Sequence, residues 1–218
     1  MRQLTAPDGR HAPKPIALDL IPAQLLAPRA RRLALLAVLV GLIVGAIVWL
    51  VASWWIAALV AAVVGLVPAL GAIAVTKRHI RLDGTVITAS GLLRSRRVEL
   101  EHLAGIELLV RVGRVSQVIV RVNDGRHSLI MIPIALYSGD GGRELEIFAL
   151  RKLADAFASS ELASAAAISS VLVEQLRAEA RDAGLGERPL YRAVELARGA
   201  GRVPQTTLTD HEVASLIE

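Results

Sequence analysis

The stretch that decides the fold is LALLAVLVGLIVGAIVWLVASWWIAALVAAVVGLVPALGAIAVT, Leu33 to Thr76. Its 44 residues include no Asp, Glu, Lys, Arg or His. A bilayer core takes about 20 apolar residues per helix, so the run predicts two spans, 33–52 and 55–76. The break falls in VASWW, Val51 to Trp55, and the turn must be very tight. Gly41 and Gly45 make a G-x-x-x-G in the first span, and Ala61, Gly65 and Ala69 recur every four residues in the second. Small residues at this spacing let helix backbones approach. They predict that the two spans pack on each other, with homodimerisation a lesser use. Pro68 predicts a kink. Neither span holds an ionisable group, which weighs against a transporter, proton path or channel.

The flanks predict orientation. Arg29, Arg31 and Arg32 precede the first span, and Lys77, Arg78 and Arg81 follow the second. Trp49, Trp54 and Trp55 cluster at the uncharged turn. Basic flanks stay in the cytoplasm and Trp prefers the interface. Both termini are therefore expected in the cytoplasm, in a multi-pass protein of a bacterial inner (plasma) membrane. A cleaved signal peptide fits poorly, because the apolar run starts after residue 32 and is about twice the length of an h-region. Abundant Ala and an excess of Arg over Lys point to a high-GC bacterium.

The chain of 218 residues is 54% hydrophobic but only 3% aromatic, so aliphatic residues carry its hydrophobicity. Without cysteine it can form no disulfide, thiolate metal site or Cys nucleophile. The net charge of +5 is uneven: residues 1–32 and 77–100 each hold six basic and two acidic residues. That excess flanks the apolar run, where anionic lipid would attract it. Aromatic residues do not interleave with these arginines, as a single-strand nucleic-acid surface would require. The N-terminal tail, 1–32, carries five prolines up to Pro28 and predicts little helix. Its segment IALDLIPAQLLA is either a membrane-surface segment or part of a disordered tail.

After the spans the apolar period changes to two. HIRL-DG-TVITA predicts a hairpin turning at Asp83-Gly84. RRVEL predicts an alternating strand, and EHLAGIELLVRV a turn followed by a strand. QVIVRV-NDG-RHSLIMIPI predicts a second hairpin, ended by Pro133. About six strands result, as in a small sandwich or open barrel. Four helices are expected beyond them. The first runs from Arg143 to about Ser159, with Leu145, Phe148, Leu153 and Phe157 inward. The next two span roughly 161–183 and 189–199. A short last helix follows a linker near 199–206 and opens with a Thr209–Glu212 capping box.

Ser90-Gly91-Leu92-Leu93, the basic Arg94 to Arg97, Val98 to Leu100 and the Ile106 to Val110 strand have a familiar order. Over about residues 76–159 the chain resembles bacterial pleckstrin-homology-like domains that follow membrane spans. It departs from them in RVGRVSQVIV, where only Gly113 stands in for a glycine-richer turn. The resemblance implies a partly open β-barrel capped by a helix, usually without enzymatic activity. The expected fold is thus an α+β membrane protein of four parts. They are a tail (1–32), a transmembrane hairpin (33–76), a PH-like β-domain (77–159) and a helical C-terminal region (160–218).

Three candidate sites follow. Counting strands from Thr76 brings the turn Gly91 to Arg97 back to the bilayer surface, where Leu92, Leu93, Arg94, Arg96 and Arg97, with Lys77 and Arg78, could touch lipid headgroups; a solvated strand face is the competing reading. SGDGGRE, Ser138 to Glu144, reads as a helix start capped by Ser138 or Asp140 rather than a phosphate cradle. Val213, Leu216 and Ile217 make an apolar face within Pro204–Glu218, expected to dock a partner or stay mobile. His11, His79, His102, His127 and His211 show no metal-ligand or triad spacing, so no cofactor, metal or small-molecule substrate is expected. The leading functional expectation is a non-enzymatic scaffold or accessory subunit with a protein partner or self-association. The second is a sensor of anionic headgroups.

Overall fold

The uncharged run folds as two helices, α1 (Ala23–Trp49) and α2 (Trp54–Thr76), joined through residues 50–53. The computed structural model describes residues 15–21, 23–76, 79–91, 95–125, 128–139, 141–201 and 204–217. The turn is short because the Ser53 carbonyl already accepts from Ile56 and Ala57 and so starts α2. The helices are antiparallel and meet at their small residues. A Cβ built on Gly45 would lie 2.7 Å from the Ala61 Cβ, and one on Gly65 would lie 3.3 Å from the Val38 Cα. Ala57 and Ala69 are buried in the same seam. The aliphatic side chains point outward. In an 18-residue window of each apolar stretch, Ala27–Trp49 and Trp54–Ala74, only 17% of residues are buried, whereas an all-round apolar helix of a soluble core would be covered. Helix begins earlier than the prolines suggested: Pro28 lies inside α1, past its first turn, where it removes one i→i−4 backbone bond.

Two antiparallel sheets follow. The first has the order β1-β2-β3-β4: β1 (Ile16–Ala17), β2 (His79–Asp83), β3 (Val86–Ser90) and β4 (Ser95–Glu99). The second has the order β8-β7-β6-β5-β9: β5 (Gly105–Arg111), β6 (Ser116–Asn123), β7 (Leu129–Ser138), β8 (Gly141–Glu144) and β9 (Gln205–Thr207). Gly84 at φ +60 and Gly125 at φ +72 sit in the two expected turns, where a left-handed backbone favours glycine. Leu82, Ile87 and Val98 of the first sheet share one buried cluster with Leu108, Val120 and Ile132 of the second. The helices α3 (Ile147–Ala158), α4 (Ala163–Ala180), α5 (Pro189–Gly199) and α6 (Asp210–Ser215) complete that cluster.

Four expectations are corrected. The tail contributes to the sheet domain: β1 pairs with β2, and Leu18 and Leu20 are buried in the core. Pro133 does not end the ladder. β7 continues to Ser138, and Ile134 is extra between the pairs Val118–Ala135 and Ile119–Pro133. Such a bulge is where a sheet tolerates proline. The segment after Ser138 is not a helix start but β8, paired Ser138–Gly141 to Ala135–Glu144. The turn is closed by Gly139 at φ +56, and the Tyr137 ring lies where a Gly142 side chain would be. The helix expected from Arg143 therefore starts at Ile147. Of its four apolar positions, Leu153 and Phe157 are buried, Leu145 is buried ahead of the helix, and Phe148 is exposed. Finally, Gln205–Thr207 is not linker: it pairs with β5 from Leu109 to Arg111.

Candidate functional site

The first sheet starts where the hairpin ends, and its register sorts its charges. The row nearest the hairpin is His79–Ser90–Ser95, and every second row onward is Arg81–Thr88–Arg97 and then Asp83–Val86–Glu99. Residues two apart share a face, so Arg81 and Arg97 lie on one face with Asp83 and Glu99. Strands rise about 3.3 Å per residue, which puts the basic row roughly 7 Å closer to the hairpin than the acidic one. All four side chains are exposed. The row order also returns the chain to the hairpin end at Gly91, as the strand count predicted. Leu92, Leu93, Arg94, Lys77 and Arg78 lie outside the described residues.

Arg96 plays a different part. Its guanidinium donates to the Leu129 carbonyl at 2.9 Å, tying β4 to the start of β7. Asp19 fixes the row nearest the hairpin. One of its carboxylate oxygens accepts from the Ile80 N–H at 2.9 Å and the other meets His79 Nδ1 at 2.9 Å. Ser90 Oγ donates to the His79 carbonyl at 3.2 Å. The chain on either side of the hairpin is thus held in adjacent strands.

On the hairpin, Trp49, Trp54 and Trp55 are exposed at the turn, and Arg29, Arg31 and Arg32 are exposed towards the start of α1. Gly41, Gly45, Ala61, Gly65 and Ala69 all lie in the helix contact. The proposed docking face behaves otherwise. Val213 and Leu216 are buried in the chain's own core at 4% and 2% exposure, leaving only Ile217 open. The capping box at Thr209 is formed, with its hydroxyl accepting from the Glu212 N–H, so α6 is a packed element.

The sequence did not disclose a polar network behind β8. Glu144 accepts from the Tyr137 hydroxyl at 2.6 Å, from Gln175 at 2.7 Å and from Arg188 at 2.9 Å. Arg188 also meets Glu179 at 2.5 Å and donates to the Ala183 carbonyl, while Gln175 accepts from the Leu190 N–H. Burial, then the hydrogen bond to Glu144 and its charge, hold the Tyr137 hydroxyl well above the ordinary tyrosine range. Burial draws Arg188 down, but Glu144 and Glu179 outweigh it and raise it. A cavity of about 330 Å³ adjoins, lined in part by Glu144, Glu146, Ile147, Glu179 and Arg188. With Glu144 taken up by three internal donors, the network fastens α4 and the start of α5 to β7 and β8. Only tertiary contact assembles it. Ile147 and Phe148 beside it are each 57% exposed.

Among the described residues no three His, Asp or Glu side chains converge as metal ligands. No protein-family model, curated protein or solved structure matches this chain.

Proposed function

We propose that this chain is a membrane-anchored, non-enzymatic scaffold or accessory subunit, in which α1 and α2 cross the inner membrane and hold the α+β domain at its cytoplasmic face. The observation that carries the reading is the hairpin itself: 44 residues without an ionisable side chain, with their aliphatic surface turned outward. A second observation supports the topology. β1 precedes the hairpin, β2 follows it, and the two are paired, so both ends of the hairpin belong on one side of any bilayer. The basic flanks argue for the cytoplasmic side. Two antiparallel sheets followed by α3 support a pleckstrin-homology-like reading of residues 76–159, extended here by β1, β9 and the later helices. With Val213 and Leu216 buried, the protein-binding surface is assigned to the exposed Ile147 and Phe148 at the start of α3.

The test is extraction from native membranes in mild detergent, followed by co-purification. A stoichiometric partner lost on Phe148→Ser supports the reading. A lone monomer, or release from the membrane by alkaline carbonate, counts against it. The second reading, binding of anionic phospholipid headgroups, is favoured by the Arg81–Thr88–Arg97 row on the hairpin side of the sheet.

A further inference from the structure

Between the tight crossing at Gly41 and Gly65 and the basic end of α1, the two helices leave an open groove. It has a volume of about 380 Å³ and is lined in part by Ala30, Ala34 and Val38 of α1, Leu66 and Ala69 of α2, and Arg31. The groove exists because alanine side chains are too short to fill the space the helix pair leaves there. Its lining is almost wholly apolar except at Arg31. Among the described residues Arg29, Arg31 and Arg32 have no ion-pair partner. An apolar slot with the unpaired Arg31 guanidinium beside it complements one kind of molecule: an apolar chain carrying an anionic head. Its size lies within the range of about 300–1,000 Å³ typical of ligand sites. Basic pockets between membrane helices on the cytoplasmic side are suited to anionic headgroups.

We propose that this groove seats one anionic phospholipid, with its phosphate at Arg31 and an acyl chain running inward along Ala34, Val38, Leu66 and Ala69. The inference rests on the hairpin crossing the bilayer. It differs from headgroup contact by the sheet in naming a single lipid held within the hairpin.

The experiment uses the full chain in nanodiscs of phosphatidylcholine with a minor fraction of spin-labelled phosphatidylglycerol or, in parallel, spin-labelled phosphatidylcholine. The motionally restricted fraction is the readout. Wild type is expected to retain phosphatidylglycerol in preference to phosphatidylcholine. Arg31→Gln is expected to lower that preference about fivefold, the effect of about one arginine near an anionic headgroup. Ala30→Leu and Ala34→Leu fill the groove and are expected to abolish retention, whereas Ala46→Leu, exposed and about three turns beyond Ala34, leaves it unchanged. Equal retention of the two lipids overturns the proposal, as does retention that survives both filling variants. Cross-linking of Ala34→Cys between two copies overturns it in favour of a second hairpin in the groove. A chain that enters no bilayer removes the membrane reading itself, an outcome distinct from insertion without selectivity.

Discussion

Gly41 and Gly65 face each other across the hairpin so closely that a Cβ on Gly41 would lie 2.6 Å from the Gly65 Cα. That neighbour is backbone, so no rotamer change could relieve the clash. Gly41→Ala is expected to force the helices apart and destabilise their packing by about 1–3 kcal/mol, in the range of overpacked cores. Gly71 of α2 has nothing within 4 Å of its would-be Cβ, so Gly71→Ala should be neutral or slightly stabilising. Thermal unfolding of both variants in detergent, followed by helical circular dichroism, separates them.

The basic row makes an electrostatic prediction. Spin label placed at exposed Ser95 by Ser95→Cys should be shielded from a water-soluble relaxing agent in anionic liposomes. Arg81→Glu with Arg97→Glu should raise its accessibility, because each arginine near such a surface contributes about 1 kcal/mol. Raising the salt should act in the same direction on wild type, through screening. No change in either experiment would mean that the row does not face lipid.

Tyr137 makes a prediction about pH. An unfolded tyrosine releases its proton near pH 10, and the native hydroxyl, buried and bonded to Glu144, holds it beyond that. Below about pH 10 both states keep the proton and this group gives no slope. Above it only the unfolded chain loses the proton, so native stability falls as pH rises. Urea unfolding in detergent between pH 9 and 11 should show that decline. Tyr137→Phe should flatten its share of the decline while lowering stability at neutral pH by about 1–3 kcal/mol.

The C-terminal segment should behave as core. Leu216→Ala is expected to cost about 2–5 kcal/mol, as for a buried leucine, and Thr209→Ala about 1 kcal/mol through the lost cap. Removing residues 205–218 should uncover β5 as a sheet edge and promote aggregation. A truncated protein as stable and soluble as the intact one would show instead that the segment only visits this surface.

The hairpin was legible because 44 residues carry no charge and are broken once, at Val51 to Trp55. The strands from His79 to Asn123 were legible because their alternation and their glycine turns agree. Other features turn on partners that lie far away in the chain. β1 and β9 are two and three residues long, too short to carry a period, and each is a strand only because another edge receives it. Pro133 looked like a stop because the bulge at Ile134 and the bond from Leu145 N–H to the Ile134 carbonyl are properties of three strands together. The apolar face of α6 was read correctly as apolar. What covers it is α4 and the shared core, which no local pattern could name. For the site, the return of the chain at Ser90 to the row of His79 was countable from strand lengths. The pairing of Arg81 with the same row as Arg97 needed the register.

Asp19 and Ile80 are joined across 61 residues, and the hairpin lies wholly within that interval. In a chain whose hairpin enters the bilayer, the first sheet cannot close until the loop has gone in and come back. Insertion would then be written into the folding order of the sheet domain. A chain whose second helix failed to return would leave β2 without β1 and Leu18 without its cover. Faulty insertion would announce itself as an incomplete first sheet.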